Sequence, residues 1–392
     1  MKSSKTYAFF KLLCSCMLLS GSSFALADEI VDRDFDKKSV EAGLWHQSDQ
    51  IEQKLNMSAA RIKDPNLNSY INNLNKIIAG NHAEHIRLSL LKAPVFNAGI
   101  LPNGAMFVNS GLMLRVENEA QLACVLAHEN AHYLNKHSLQ RAEEASKSNQ
   151  AHAFVSITTL GFGSIVSAFI AASEFSNFSK ANEKESDIES IILMGELGYD
   201  QTQCAQVWAN IIDESLASSN KKVKKRGVKS PIFGSHPSSP DREEYLLEQA
   251  KSSNAKALIA NDNVAYRKII RPHLVEWLEA ELTHRDYGSM LHLIDRLEKL
   301  GGDEGVLNFA RGRVYETRKS DGDKERMDAA YLVASNYDDT PAGLWRSVGD
   351  MHARANEKEK AIAAFEQYLI KAPQAPDKDL IKFMITDLRG TP

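Results

Sequence analysis

Little in this sequence points to nucleic acid, to a polytopic membrane protein or to a disordered chain. Its 47 Lys and Arg against 51 Asp and Glu leave a net charge of −4, which supplies no basic field for a nucleic-acid backbone. The multiple long apolar spans of a membrane-embedded enzyme are missing. Cysteine is scarce too. Of the four, Cys14 and Cys16 fall in an N-terminal export segment, so the mature chain keeps Cys124 and Cys204, which read as two separate buried thiols in helices, with a disulfide between them as the alternative. What remains, 43% hydrophobic and 25% charged residues over 392 positions, is enough to build the cores of two globular domains.

The first 27 residues have the layout of a signal peptide. Lys2, Lys5 and Lys11 form a basic region, Leu12 to Leu26 is apolar and small, and Ala25-Leu26-Ala27 precedes Asp28, which predicts export with cleavage after Ala27. A lipoprotein signal on Leu13-Cys14-Ser15-Cys16 would need a longer apolar run than Lys11 allows.

Residues 28–255 mix strand and helix patterns. Leu67, Ile71, Leu74 and Ile78 are spaced as on a helix that ends at Gly80, and Ile86 to Ala93 alternates as a strand. A second strand, a Pro102-Asn103-Gly104 turn and an apolar run from Met106 follow. Met106, Phe107 and Val108 are candidates for an exposed sheet edge on which an extended polypeptide substrate adds a strand. Asn118, with Gln121 three residues on, predicts the capped start of the next helix. The twenty uncharged residues 153–172 read as a buried helix or hairpin, with a membrane-lying segment as the alternative. The cation-rich segment 221–229 reads as a solvated loop that can also meet anionic lipid or an acidic partner.

From residue 256 to 392 the pattern is all helical. Trp345, Val348, Gly349, His352, Ala361, Phe365 and Pro373 fall at the large and small positions of a tetratricopeptide (TPR) repeat, and Gly312, Tyr315, Ala329 and Pro341 mark a preceding copy. Stacked helix pairs of this kind present a concave surface to a protein partner.

The chemistry lies in the capped helix, at His128-Glu129-Asn130-Ala131-His132. Histidines four apart share one helical face and can present ring nitrogens to a single zinc ion, while Glu129 can reach a water on that ion without ligating it. The ion acidifies the water and the carboxylate takes its proton, which is the chemistry of peptide hydrolysis. A third ligand is needed. On a continuous helix His137, five residues on, points away from the metal face, so it takes a structural or surface role. A helix downstream offers Glu183 and Asp187 one turn apart, a carboxylate ligand and an acceptor for a ligating histidine's other N–H. Spacing alone does not separate Glu183 from Glu185.

The motif from His128 to His132, with Glu183-x-x-x-Asp187, resembles the HExxH/ExxxD gluzincin peptidase family, which includes the CAAX prenyl proteases, a bacterial heat-shock membrane protease and an exported, repeat-bearing branch. The stretch Asn97 to Leu112 and the segment Ser235-His236-Pro237 through Arg242 are also similar to that family. The resemblance implies a zincin-like α+β domain, mostly helical with a small sheet, holding one zinc ion on His128, His132 and Glu183. It further implies Glu129 as general base, Asp187 behind a ligand, and functional roles for His236 and Arg242 as oxyanion stabilisers, with His236 alternatively an inhibitory ligand. Two positions depart from the family pattern, Lys180 where arginine is usual and Ser186 where alanine is usual. The exported branch implies a metalloendopeptidase of a Gram-negative periplasm that acts on misfolded or stalled envelope proteins, in outer-membrane protein assembly and quality control, with outer-membrane proteins or their assembly machinery as partners. A chaperone or assembly adaptor working through the repeats is the alternative.

Overall fold

The structure, a computed structural model, describes residues 36, 39–147, 178–226, 240–253 and 256–390. The export segment 1–27, the apolar stretch 153–172, residues 227–229 and His236 lie outside the described residues. No helix among the described residues is long and apolar enough to cross a membrane.

Helices α1 (Val40–Met57) and α2 (Pro65–Ala79) precede a small sheet. Asp64 caps α2 by accepting from the Leu67 N–H, proline occupies its first turn, and Gly80 at φ +56° ends it where the periodicity stops. Strands β1 (Arg87–Leu91), β2 (Ala98–Ile100) and β3 (Ala105–Asn109) form a sheet in the order β1-β3-β2, with β1 parallel and β2 antiparallel to β3. The β2–β3 turn needs its glycine twice over. Gly104 has φ +81°, and a Cβ there would lie 2.2 Å from the His85 carbonyl oxygen.

This topology corrects one expectation. Met106, Phe107 and Val108 are not at an edge, because β3 is paired on both sides and all five of its residues are buried. Four apolar residues followed by Asn109, buried on both faces, suit a central strand, and β2 is the strand that packs on the helix of the histidine motif.

Helix α3 (Ser110–Arg115) leads into α4 (Glu119–Leu134), the helix of the histidine motif, and α5 (His137–Lys147). Asn118 accepts from the Gln121 N–H at 2.9 Å, and Gln121 Oε1 accepts in turn from the Glu117 N–H at 2.9 Å, so the expected capping box closes one residue earlier than usual. Helices α6 (Lys180–Glu196), α7 (Thr202–Ala217), α8 (Lys221–Arg226) and α9 (Pro240–Ser252) complete this part. Residues 221–226 are therefore helical rather than a loop, anchored by buried Val223.

The core does not break at residue 256. One apolar cluster runs from Leu67 through Leu126, Ile211 and Trp277 to Val314, taking in α10 (Asn263–Ile270), α11 (Leu274–Leu282), α12 (Tyr287–Lys299) and α13 (Glu304–Arg318) as far as Val314. A buried ion triad lies across the same junction: Arg115 of α3 reaches Glu214 of α7 at 2.7 Å and Glu281 of α11 at 2.6 Å. The helices after residue 256 thus pack on α2, α3 and α7.

Beyond this core, α13 packs with α14 (Asp323–Ala334), and α15 (Ala342–Arg354) with α16 (Lys358–Lys371), before α17 (Lys378–Arg389) closes the chain. Both pairs use one device. A Cβ on Gly312 would meet the Tyr331 ring at 2.2 Å, and a Cβ on Gly349 would meet the Phe365 ring at 2.4 Å. In each pair an absent side chain lets an aromatic ring seat against the facing helix. Ala361 is fully buried as expected, whereas in the earlier copy Ala330 is buried and Ala329 is exposed, a register one residue from that read in the sequence.

Candidate active site

Helix α4 is buried almost all round, and this lets it carry chemistry in a water-poor setting. His128, Glu129 and His132 are 6%, 2% and 2% exposed. Their Nε2 atoms face each other, His128 to His132 at 3.0 Å. Helix α6 packs on α4 and brings Glu183 to the same point, its carboxylate 3.7 Å from His128 Nε2 and 3.5 Å from His132 Nε2.

Ligand atoms about 2.1 Å from a tetrahedral zinc lie about 3.4 Å apart, so these three spacings fit such an ion. Among the described residues these are the His, Cys, Asp and Glu side chains that converge in this way. Glu185, the alternative that spacing left open, points elsewhere: its carboxylate lies on His137 at 3.2 Å.

Asp187, one turn after Glu183, stands behind His128 with Oδ1 2.9 Å from Nδ1. The same carboxylate takes Arg242 bidentately at 2.7 and 2.6 Å and accepts from the Tyr245 hydroxyl. Burial pushes the Asp187 carboxyl up, but the Arg242 guanidinium and His128 outweigh it and hold the group well below the usual carboxylate range. It is therefore an anion that can hold the His128 Nδ1 proton and leave Nε2 free to ligate.

Arg242 was expected at the oxyanion. The structure puts it elsewhere: besides Asp187 it reaches Glu183 at 3.1 Å, and its guanidinium lies 4.0 Å from the centroid of the Trp208 ring. A planar fork committed to two carboxylates and stacked on an indole positions the ligands and does not face a reacting carbonyl. Tyr245, one turn after Arg242 on α9, was not foreseen, although its i, i+3 spacing from that arginine is legible.

His137 was expected to point away, and it does not. Helix α4 ends at Leu134, Lys136 takes a left-handed φ of +50°, and the chain folds back so that His137 begins α5 beneath the motif, 1% exposed. Its Nδ1 lies 2.8 Å from His132 Nδ1. The Phe178 ring stacks on His132, centroids 3.9 Å apart.

Cys124 and Cys204 are joined in a disulfide, Cα atoms 5.5 Å apart, and are not separate thiols. The bond ties α4 to α7 one turn before His128, a proximity that no local pattern reveals. It forms part of the wall of a narrow cleft of about 30 Å3 that also includes Phe96, Asn97, Val207, Leu246 and Glu129.

Residues 62–250, which contain the ligand set and the groups behind it, match the model of peptidase family M48. That stretch, just under half of the chain, is similar to an M48 peptidase domain. Among curated proteins it is similar to the beta-barrel assembly-enhancing protease of Yersinia pestis, 24% identical over 82% of this chain and 66% of that one. The protein of the same name from Escherichia coli O157:H7 is 27% identical over 44% of this chain and 38% of its own length. The mitochondrial metalloendopeptidase OMA1 of Schizosaccharomyces pombe is 28% identical over 45% of this chain and 51% of its own. The matches thus span less than two thirds of each relative.

Proposed function

We propose that this chain is an exported zinc metalloendopeptidase that hydrolyses peptide bonds in misfolded or stalled envelope proteins during outer-membrane protein assembly. The observation that carries the reading is the convergence of His128, His132 and Glu183, with Glu129 on the same helix beside them. The match of residues 62–250 to the M48 family model and the relatives named for beta-barrel assembly support it from outside the site.

A zinc ion on these ligands supplies Lewis acidity toward water and a scissile carbonyl. The chain's own groups do the rest. Glu129 takes the proton of the attacking water and returns it to the leaving amine, as a carboxylate held in a buried site can. Asp187 holds His128 in its ligating tautomer, and Arg242 holds Asp187 and Glu183 in turn. The walls at Phe96, Val207 and Leu246 give the narrow cleft beside Glu129 an apolar lining. The pairs α13–α14 and α15–α16, read as TPR repeats, recruit the substrate or the assembly machinery.

The test uses the chain lacking residues 1–27. Bound zinc is measured, and cleavage of an unfolded outer-membrane protein is compared between the parent and Glu129→Gln. Loss of the base should lower the rate by about 10²–10⁴-fold while zinc stays bound. Full zinc loading with equal cleavage by both forms would sink the peptidase reading and leave the helical pairs as the working part, an assembly adaptor.

A further inference from the structure

We propose that His137 and Glu185 are positioning residues for the metal: together they lock His132 in the tautomer that turns Nε2 toward the ion. The inference rests on the zinc reading above and extends it to residues that are not ligands.

The argument is one of proton placement. Two Nδ1 atoms 2.8 Å apart, on His132 and His137, form a hydrogen bond only if one carries the proton and the other its lone pair. Were His137 the donor, His132 Nδ1 would accept, its own proton would sit on Nε2, and that nitrogen would have no lone pair for a metal. His132 must therefore donate and His137 accept. A neutral His137 then carries its proton on Nε2, and Glu185 Oε2 stands 3.2 Å from that atom. One assignment satisfies every contact in the line: carboxylate, imidazole, imidazole, metal.

The surroundings fix the line in space. The left-handed turn at Lys136 places His137, the His137 side chain is fully buried, and Ser186 lies against its Nδ1 with Oγ at 3.4 Å. Glu185 has its side chain half exposed, so the line runs from the buried ligand to the surface. The two ligating histidines are thus supported differently, His128 by a buried carboxylate directly and His132 through a neutral imidazole.

The experiment uses the full chain loaded with zinc or with cobalt(II). Zinc affinity, the rate of zinc release to a chelator and the visible absorption of the cobalt form are measured for the parent, His137→Leu, His137→Asn and Glu185→Ala. His137→Leu should weaken zinc binding about 10–100-fold and shift the cobalt bands, because an apolar side chain cannot accept from His132 Nδ1. His137→Asn puts a carbonyl oxygen near the lost Nδ1 and should restore affinity to within about threefold and the parental bands. Glu185→Ala, at an exposed position that does not threaten folding, should speed zinc release about 3–10-fold.

A folded His137→Leu form with parental affinity and spectrum overturns the proposal. So does an asparagine form no better than leucine. If His137→Leu does not fold, unchanged zinc release from Glu185→Ala overturns it instead. A parent that binds neither metal overturns this inference and the peptidase reading together, and is told apart because the failure appears before any variant is made.

Discussion

Replacing Arg242 by leucine should damage the site through its architecture before it touches the chemistry. The guanidinium makes two short bonds to Asp187 and one contact of 3.1 Å to Glu183, with its side chain only 4% exposed. Removing it leaves two buried carboxylates without their cation, a loss of about 3–5 kcal/mol. The stacking on Trp208 adds up to about 2 kcal/mol where it is desolvated. Some of this returns in the zinc-loaded protein, where the ion offsets the charge on Glu183, so the metal-free form should show the larger effect. Urea unfolding of the metal-free parent, Arg242→Leu and Arg242→Lys measures it, with zinc affinity read in parallel. Lysine keeps a charge but cannot bridge both acids bidentately, and should fall between the other two. An oxyanion role predicts something different: a fall in kcat with stability and zinc affinity unchanged. If Arg242→Leu unfolds within about 1 kcal/mol of the parent and holds zinc normally, the positioning argument is wrong, since no buried pair broken on one side costs so little.

The Cys124–Cys204 bond closes a loop spanning 80 positions, for which chain-entropy arguments give about 4.5 kcal/mol, an upper figure to set against urea unfolding of the double alanine variant. Gly349→Ala should destabilise by about 1–3 kcal/mol by forcing a methyl into the Phe365 ring while leaving zinc content and peptide cleavage intact, and a loss of bound zinc would mean that the helical pairs are coupled to the site more tightly than their separate cores imply. Asp187 has a folded-state pKa depressed below its unfolded value of about 3.9, so its contribution is complete above that pH and is lost as pH falls through the folded value. Metal-free protein should therefore lose stability on acidification below about pH 4, and Asp187→Asn should flatten that slope. An equal slope in both forms would remove Asp187 as its source.

What was legible in the sequence is what depends on local periodicity. His128 and His132 share a face because 3.6 residues make a turn, and Glu183 and Asp187 do so for the same reason, so each pair could be placed on its helix unaided. The turn at Gly104 and the caps at Asp64 and Asn118 are likewise written in a few adjacent residues. Joining the pairs was different. Nothing local says that Glu183 rather than Glu185 meets the histidines, and the family resemblance supplied that choice. The disulfide, the seat of Arg242 and the burial of β3 on both faces are tertiary facts, set by how α4, α6, α7 and α9 stack, and no window of the chain contains them.

His137 shows why a correct rule can give a wrong direction. Five residues past His132, an unbroken helix would carry it about 140° around the axis from that ligand, away from the metal. The premise that fails is continuity. Asn135 and Lys136 end the helix, Lys136 adopts the left-handed conformation that a lysine rarely takes, and the reversal returns His137 to the buried side of the ligand it follows. A positive φ at a residue other than glycine carries a conformational cost, and here it coincides with an imidazole seated against a ligand that needs an acceptor. If the turn exists to place that ring, Lys136→Gly should preserve zinc affinity and relieve strain, whereas Lys136→Val should resist the turn and weaken zinc binding much as His137→Leu does. Valine tolerated at position 136 with parental zinc affinity would show that the reversal and the ligand geometry are independent.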